Sequence, residues 1–288
     1  MDIDDVSSTN KRGYLNKDFQ LFHLKDKLNQ EFELHYHDFK KIIILISGKV
    51  SYLIEGKSYK LKPWDILLVN SYEVHKPIID SSEPYERYVL WINSDFLTLN
   101  NKDGSDLLNC FSISSKEKLN LLRPNDTWIN VFENLLMQIE TNIKSKEDFS
   151  TILGNSLFIQ FMVYINRLFV NKENSAPLKD IEFDKTIEEI LSYINSNLNE
   201  NLSIEILANK FFMSKYYLMH KFKKETGYTL HSYITQKRLI MAADLIKKGI
   251  SISSVCEECG FCDYSTFVRS FKKLYGLSPK NFYKEYIK

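Results

Sequence analysis

Lys215-Tyr216-Tyr217-Leu218-Met219-His220-Lys221-Phe222-Lys223-Lys224-Glu225-Thr226-Gly227 (residues 215–227) is answered later in the chain by Tyr264-Ser265-Thr266-Phe267-Val268-Arg269-Ser270-Phe271-Lys272-Lys273-Leu274-Tyr275-Gly276 (residues 264–276). The two Phe-Lys-Lys triplets and the two glycines are each offset by 49 (222 to 271, 227 to 276). Upstream, Ser203-Ile204 recurs as Ser251-Ile252 at an offset of 48, so one residue has been added in the turn between. The pattern is a helix-turn-helix with a basic second helix, written twice. Two such units on a rigid connector can set two helices into successive major grooves, about 34 Å apart.

At about 100° per residue, each second helix separates into two faces. Leu218 and Phe222 lie together in the first helix, with Tyr216, Met219, His220 and Lys223 roughly opposite. Phe267 and Phe271 take the packed side of the second, and Ser265, Val268, Arg269 and Lys272 the other. Arg269 can donate two parallel hydrogen bonds to guanine, while Tyr216, Met219 and Val268 can touch thymine methyl groups. Lys223, Lys224, Lys272 and Lys273 suit phosphates, which position a protein without reading sequence. A helical bundle with a solvated lysine face would explain one such helix, but not two in matched register.

The segment Ile252-Ser253-Ser254-Val255-Cys256-Glu257-Glu258-Cys259-Gly260-Phe261, followed by residues 263–273, Gly276 and Ser278-Pro279, resembles the C-terminal signature of AraC/XylS-family transcriptional regulators. The first unit fits as well, through Leu207-Ala208, Ser214, Leu218, Phe222-Lys223-Lys224, Gly227 and Arg238. The resemblance implies a seven-helix unit that binds DNA with both helices. It places the base-facing positions at Tyr216, Met219, His220, Tyr264, Ser265, Val268 and Arg269. His220 stands where relatives often carry Arg.

Composition agrees with a soluble regulator. The 288 residues leave room for two domains, and 44% hydrophobic with 26% charged residues is ordinary for a globular chain. Residues 184–288 hold 16 Lys/Arg against 11 Asp/Glu, while the first 183 residues hold 22 against 26. The positive end is the one that would release counterions from phosphates. The acidic start (Met1-Asp2-Ile3-Asp4-Asp5) lacks the parts of a signal peptide, and the front apolar run, residues 42–46, is too short for a bilayer. The expected location is the cytoplasm, with no membrane partner.

Residues 31–93 read as short strands punctuated by Gly48, Gly56, Pro63 and Asn70-Ser71, the spacing of a sandwich or barrel. From Trp128 the period becomes helical (Val131, Leu135, Ile139), and again at Leu157, Phe161, Tyr164, Ile165 and Leu168 around a polar turn at residues 144–148. The second of these helices is apolar over much of its circumference. It is expected to bury against the barrel or a second subunit, with Leu157, Phe158, Phe161, Met162, Tyr164 and Ile165 on a dimer face. The predicted class is α+β multidomain: a cupin-like effector-sensing β-barrel at 1–115, a helical hairpin for dimerisation at 116–173, a linker at 174–183, and an all-α double helix-turn-helix at 184–288.

His35-Tyr36-His37 at one strand start and His75 at another, with Gly48, Pro63 and Asp65 between, resemble the cupin-type effector domain that precedes many of these regulators. Two departures stand out. Lys41 occupies the place of the cupin metal set's glutamate, and Trp64 that of the glycine before Asp65. Three imidazoles suit Zn, Fe or Ni, but with a cation in the carboxylate's place no metal and no cofactor is expected. His35, His37 and His75 are instead read as hydrogen-bonding lining of a pocket with Tyr52, Trp64 and Trp91 as walls, fit for a small molecule, a sugar first among the candidates.

Cys256, Cys259 and Cys262 have metal-like spacing but lack a fourth ligand, and Cys256 and Cys259 fall on an apolar helix face, so they read as structural. No phosphate loop, GxSxG elbow or HExxH helix occurs, and no catalytic residue is expected. The expected partners are double-stranded promoter DNA, a small-molecule effector, a second copy of the chain and RNA polymerase. The rival readings are a cupin-type metalloenzyme with an accessory DNA-binding domain, and a regulator that needs no ligand.

Overall fold

The computed structural model describes residues 15–27, 32–170 and 180–286. It forms two compact units, Met1–Glu182 and Phe183–Lys288. The expected linker at 174–183 lies outside the described residues as far as 179.

The first unit begins with seven strands: β1 (Phe19–Asp26), β2 (Lys40–Ser47), β3 (Lys49–Ile54), β4 (Lys57–Lys60), β5 (Ile66–Val69), β6 (His75–Asp80) and β7 (Tyr85–Ile92). Helices α1 (Ser94–Leu99) and α2 (Asn109–Glu117), the short β8 (Leu121–Leu122), and helices α3 (Asp126–Lys144) and α4 (Ser150–Val170) follow, and β9 (Ile181–Phe183) lies at the unit boundary. The strands make two sheets, ordered β1-β7-β2-β5-β8 and β6-β3-β4-β9. The anticipated closed barrel is therefore corrected to a two-sheet structure with open edges. The crossover from one sheet to the other takes a single residue, Gly48, at φ +108°, where a Cβ would stand 2.8 Å from the Pro84 carbonyl oxygen. Only glycine allows that approach.

β2 is buried on both faces, which accounts for its unbroken apolar run. Ile43 and Leu45 face the space between the sheets with Tyr52, Tyr59, Leu67 and Tyr85. Ile42 and Ile44 face the helices. That outer layer joins Phe132, Leu135, Leu136 and Ile139 of α3 to Phe158, Phe161, Met162 and Ile165 of α4. Phe161 and Ile165 are thus core residues of this unit, and the dimer face expected from them is corrected. Helix α4 is apolar nearly all round because it serves both α3 and the sheet. By length and composition it could cross a membrane, yet Leu157, Phe158, Phe161, Met162, Ile165 and Leu168 are buried inside the unit.

A charge is built into this unit. Asp65, fully buried, accepts hydrogen bonds from Nε and Nη2 of Arg123, both at 2.8 Å, and from the Lys62 backbone N–H at 2.7 Å. Arg123 also pairs with Asp180, as does Lys62 at 3.1 Å. The guanidinium fork satisfies a carboxylate that would be costly to bury alone.

The second unit is α5 (Lys185–Ser196), α6 (Ile204–Lys210), α7 (Lys215–Thr226), α8 (Leu230–Lys247), α9 (Ile252–Glu258), α10 (Tyr264–Tyr275) and α11 (Pro279–Tyr286). Ser203, Ser214, Ser251 and Asp263 cap α6, α7, α9 and α10 through their side chains, each accepting from a backbone N–H three residues on. Gly227 and Gly276 end α7 and α10 in the left-handed conformation. The added residue falls in the second turn: four residues separate α6 from α7 (211–214) and five separate α9 from α10 (259–263). The first turn holds Phe212 at φ +53° and the second Gly260 at φ +72°.

Helix α8 serves both halves. Tyr233 near its start meets Phe222 of α7 edge-on, ring centroids 5.6 Å apart. Leu239, Ala242, Ala243 and Ile246 pack instead with Val255, Cys256, Phe267, Phe271 and Phe282. Phe267→Ala should lower the stability of the second unit by about 3–5 kcal/mol. All three tryptophans (Trp64, Trp91, Trp128) lie in the first unit. In a urea titration the circular-dichroism transition of the variant should therefore broaden to lower denaturant while the tryptophan-fluorescence transition stays in place. A matching fluorescence shift would show that the units do not unfold independently.

Candidate nucleic-acid interface and histidine cluster

In α7, Leu218 and Phe222 are buried, and Tyr216, Met219, His220, Lys223 and Lys224 are exposed. In α10, Phe267 and Phe271 are buried, Val268 is half-buried, and Tyr264, Ser265, Arg269, Lys272 and Lys273 are exposed. Tyr216 is 72% exposed, a high value for a ring that no core requires. It lies 5.4 Å from the His220 ring. Arg269 makes only long contacts, 3.4 Å to the Ser265 carbonyl and 3.4 Å to Thr266 Oγ1, which leaves most of its donors outward.

Alongside α7 runs a groove of about 1450 Å³, lined by Tyr216, Met219, His220, Lys223 and Lys224 and, across it, by the first turns of α8. His231 and Thr235 of α8 line the same groove. Sequence reasoning missed both. The only available signal was Thr229, whose hydroxyl caps α8 and so sets which residues of its first turns face outward. Lys221 is drawn aside into an ion pair with Asp184 at 2.9 Å, and Lys215 pairs with Glu205. Neither lysine belongs to the base-facing set.

The first unit brings His35, His37 and His75 together. All three are buried, and one ring nitrogen from each lies within 4.8 Å of the others. His35 and His75 exchange backbone hydrogen bonds of 3.1 and 2.9 Å, a two-residue bridge between the first sheet's approach segment and β6. Their ring centroids are 4.5 Å apart, and those of His37 are 5.0 and 5.1 Å away. Burial, then the neighbouring His35, Lys41 and His37, hold the His75 pKa well below the usual histidine value. The ring is neutral at pH 7.

Trp91 joins this group, its ring 6.0 Å from His37. Phe39 joins it too, stacked on His37 at 4.7 Å and 19°. Phe39 was missed, although its place two residues after His37 puts both on one face of the extended chain. Two expected walls are elsewhere. Trp64, at φ +68°, packs against the layer shared with the helices, and the Tyr52 hydroxyl lies 3.1 Å from that of Tyr85 among the inter-sheet aliphatics. The reason is that alternation fixes a face but not which end of the sheet a residue occupies.

The cysteines do not assemble. Cys256 and Cys259 are buried and Cys262 is exposed, and burial pushes the Cys259 thiol up to about 12. Among the described residues, the histidine trio is the group able to hold a metal ion.

Residues 21–162 match the sequence profile described as an AraC-like ligand binding domain, and residues 207–285 match that of a helix-turn-helix domain. The chain is similar to the HTH-type transcriptional activator RhaR of Mannheimia succiniciproducens, 23% identical over 266 residues and covering 89% of each chain. It is similar to the probable transcriptional regulator LumQ of Photobacterium leiognathi, 24% identical over 263 residues, 89% of this chain and 94% of that one. Among solved structures, ToxT from Vibrio cholerae aligns over 94% of this chain and 100% of its own at 17% identity, with a TM-score of 0.36. With a ligand-binding unit in front and two helix-turn-helices behind, the chain belongs to the AraC family and is a DNA-binding transcription regulator.

Proposed function

We propose that the protein binds promoter DNA through α7 and α10 together and contacts RNA polymerase from that position. Its first unit takes a small polar effector among the buried histidines, Trp91 and Phe39, in the cytoplasm and without a catalytic step. The observation that carries the reading is the repeated two-faced helix: a buried pair (Leu218 and Phe222, Phe267 and Phe271) under an exposed face ending in two lysines. Nothing in a helical core requires the two helices to expose the same positions and end in the same two lysines. A duplex that meets both helices does. A sugar fits the effector end, since imidazoles donate and accept hydrogen bonds and an indole face stacks on a ring.

Base and phosphate roles separate by measurement. Arg269→Ala should cost about 1–3 kcal/mol on the cognate site and relax preference at one base position. Lys273→Ala should weaken every sequence alike and lower the salt slope by about one. The check is a binding titration over single-base variants at two salt concentrations. Identical profiles for the two variants would sink the assignment.

A homodimer is proposed through the turn end of the α3–α4 hairpin. Phe149 (78% exposed) stands just before α4, Ile152 (64%) and Leu153 lie in its first turn, and Met137 and Ile143 stand exposed on α3. Together they form an apolar surface that water would otherwise cover. Ile152→Glu with Leu153→Glu should give a folded monomer by sedimentation. Phe161→Glu should instead unfold the first unit, because that ring is fully buried. A wild-type chain that sediments as a monomer at micromolar concentration would refute the proposal.

A further inference from the structure

Helix α8 carries polar side chains that its packing does not use. His231, Thr235 and Arg238 follow one another at about one turn, so they project along one side of the helix. All three line the groove beside α7. Tyr216, His220 and Lys223 repeat the same spacing on α7 and line it too. Arg238 is engaged by the carbonyls of Leu198 and Glu200. His231 is exposed and Thr235 half-buried, and neither side chain has a hydrogen bond or ion pair among the described residues. A third wall comes from Gly260, Phe261 and Cys262 in the turn of the second helix-turn-helix. The groove therefore lies between the two helix-turn-helices of one unit. A duplex that seats α7 and α10 in successive major grooves carries the intervening sugar–phosphate backbone past this space. Charge sets the path of that backbone. His220 and Lys223 stand on the α7 wall, with Lys224 beside them at 3.8 Å from Glu225. The groove's carboxylates are set apart: Glu200 before α6, Glu205 on α6 and drawn to Lys215, and Glu257 on α9. Tyr216 and Cys262 complete its titratable groups. Phosphates repelled by the carboxylates run along the α7–α8 wall, past His231 and Thr235.

We propose that α8 contacts DNA directly: His231 and Thr235 bind a phosphate between the two major grooves, His231 as the charged imidazolium, so that DNA affinity rises as the pH falls. The inference rests on the reading that α7 and α10 bind one duplex together. Imidazole is the side chain whose charge changes between about pH 5 and 8. A phosphate beside it favours the charged form. Binding then takes up a proton, and by linkage acid strengthens the complex. The charged ring donates to a phosphate oxygen, as does the Thr235 hydroxyl, and the charge-assisted bond is the stronger of the two. Neither bond reads a base. The contact fixes the register of the duplex on the unit and leaves the choice of sequence to α7 and α10.

The test measures binding of the full-length chain to a duplex recovered by selection on the wild-type protein, about 30 base pairs long so that it spans both grooves. Titrations run at about pH 6 and about pH 8, the two sides of imidazole titration, at one salt concentration. The wild-type chain should bind about three- to tenfold tighter at the lower pH, the scale of one added phosphate contact. His231→Gln should lose that gain. His231→Lys, whose charge persists across the range, should bind at the higher pH about as tightly as the wild type at the lower. Thr235→Val should weaken binding at both. A scan of single uncharged methylphosphonates along the duplex locates the contact: one position between the two grooves should weaken the wild type and leave His231→Gln unaffected. A pH gain that survives His231→Gln, or that disappears with His220→Gln instead, would overturn the proposal. So would a His231→Lys variant that binds no better than the wild type at the higher pH. If the reading of α7 and α10 fails, Arg269→Ala and Lys273→Ala leave binding unchanged. If this inference alone fails, those two variants weaken binding and His231→Gln does not.

Discussion

Arg238 reaches from the middle of α8 to the carbonyl oxygens of Leu198 and Glu200, at 2.9 and 2.6 Å, and the backbone of Gly260 lies against the same guanidinium. A Cβ on Gly260 would come within 2.6 Å of the Leu198 oxygen and 2.9 Å of Arg238 Nη2. One planar cation therefore fastens the loop ahead of the first helix-turn-helix to the turn inside the second. Two carbonyls of the loop between α5 and α6 gain charge-assisted partners, which are stronger than neutral ones. The matched facing of α7 and α10 means little unless their two halves hold a fixed relation. The arginine, the glycine and the shared flanks of α8 supply that relation, and lysine could not, having no planar fork.

The first unit meets a comparable problem with different means. Its two sheets have open edges, and the stretch from β5 to β8 is held by a buried carboxylate, Asp65, inside the fork of Arg123. The same arginine and Lys62 hold Asp180, just before β9. Ile181 is buried among the inter-sheet side chains. Polar ties and apolar packing thus act on the same few residues.

The second unit was legible in the sequence almost residue by residue. Leu218, Phe222, Phe267 and Phe271 are buried where helical spacing put them, because that signal is local, as are the serine caps and terminating glycines of these helices. The first unit was legible in its strands but not in its closure. Nothing local in β1 or β6 says whether edge strands meet. Phe161 and Ile165 read as surplus apolar surface because a helix that packs on two neighbours looks, in sequence, like a helix awaiting a third. Trp64 and Tyr52 were misplaced for a similar reason, since a two-residue period does not reveal which compartment a side chain enters. His35, His37 and His75 were singled out by the resemblance of their stretch to a cupin-type effector domain. Their tautomers depend on the carbonyls of Glu33 and Glu73, and a sequence does not display those.

The two helix-turn-helices follow one another along the chain in the same sense and are joined by a continuous α8, yet the positions they expose in common carry different residues: Tyr216, Met219 and His220 on one, Ser265, Val268 and Arg269 on the other. A tandem arrangement of unlike readers has no twofold axis. A duplex gripped by both would be gripped with a polarity, so that a single chain would tell upstream from downstream, which an inverted pair of identical helices cannot do.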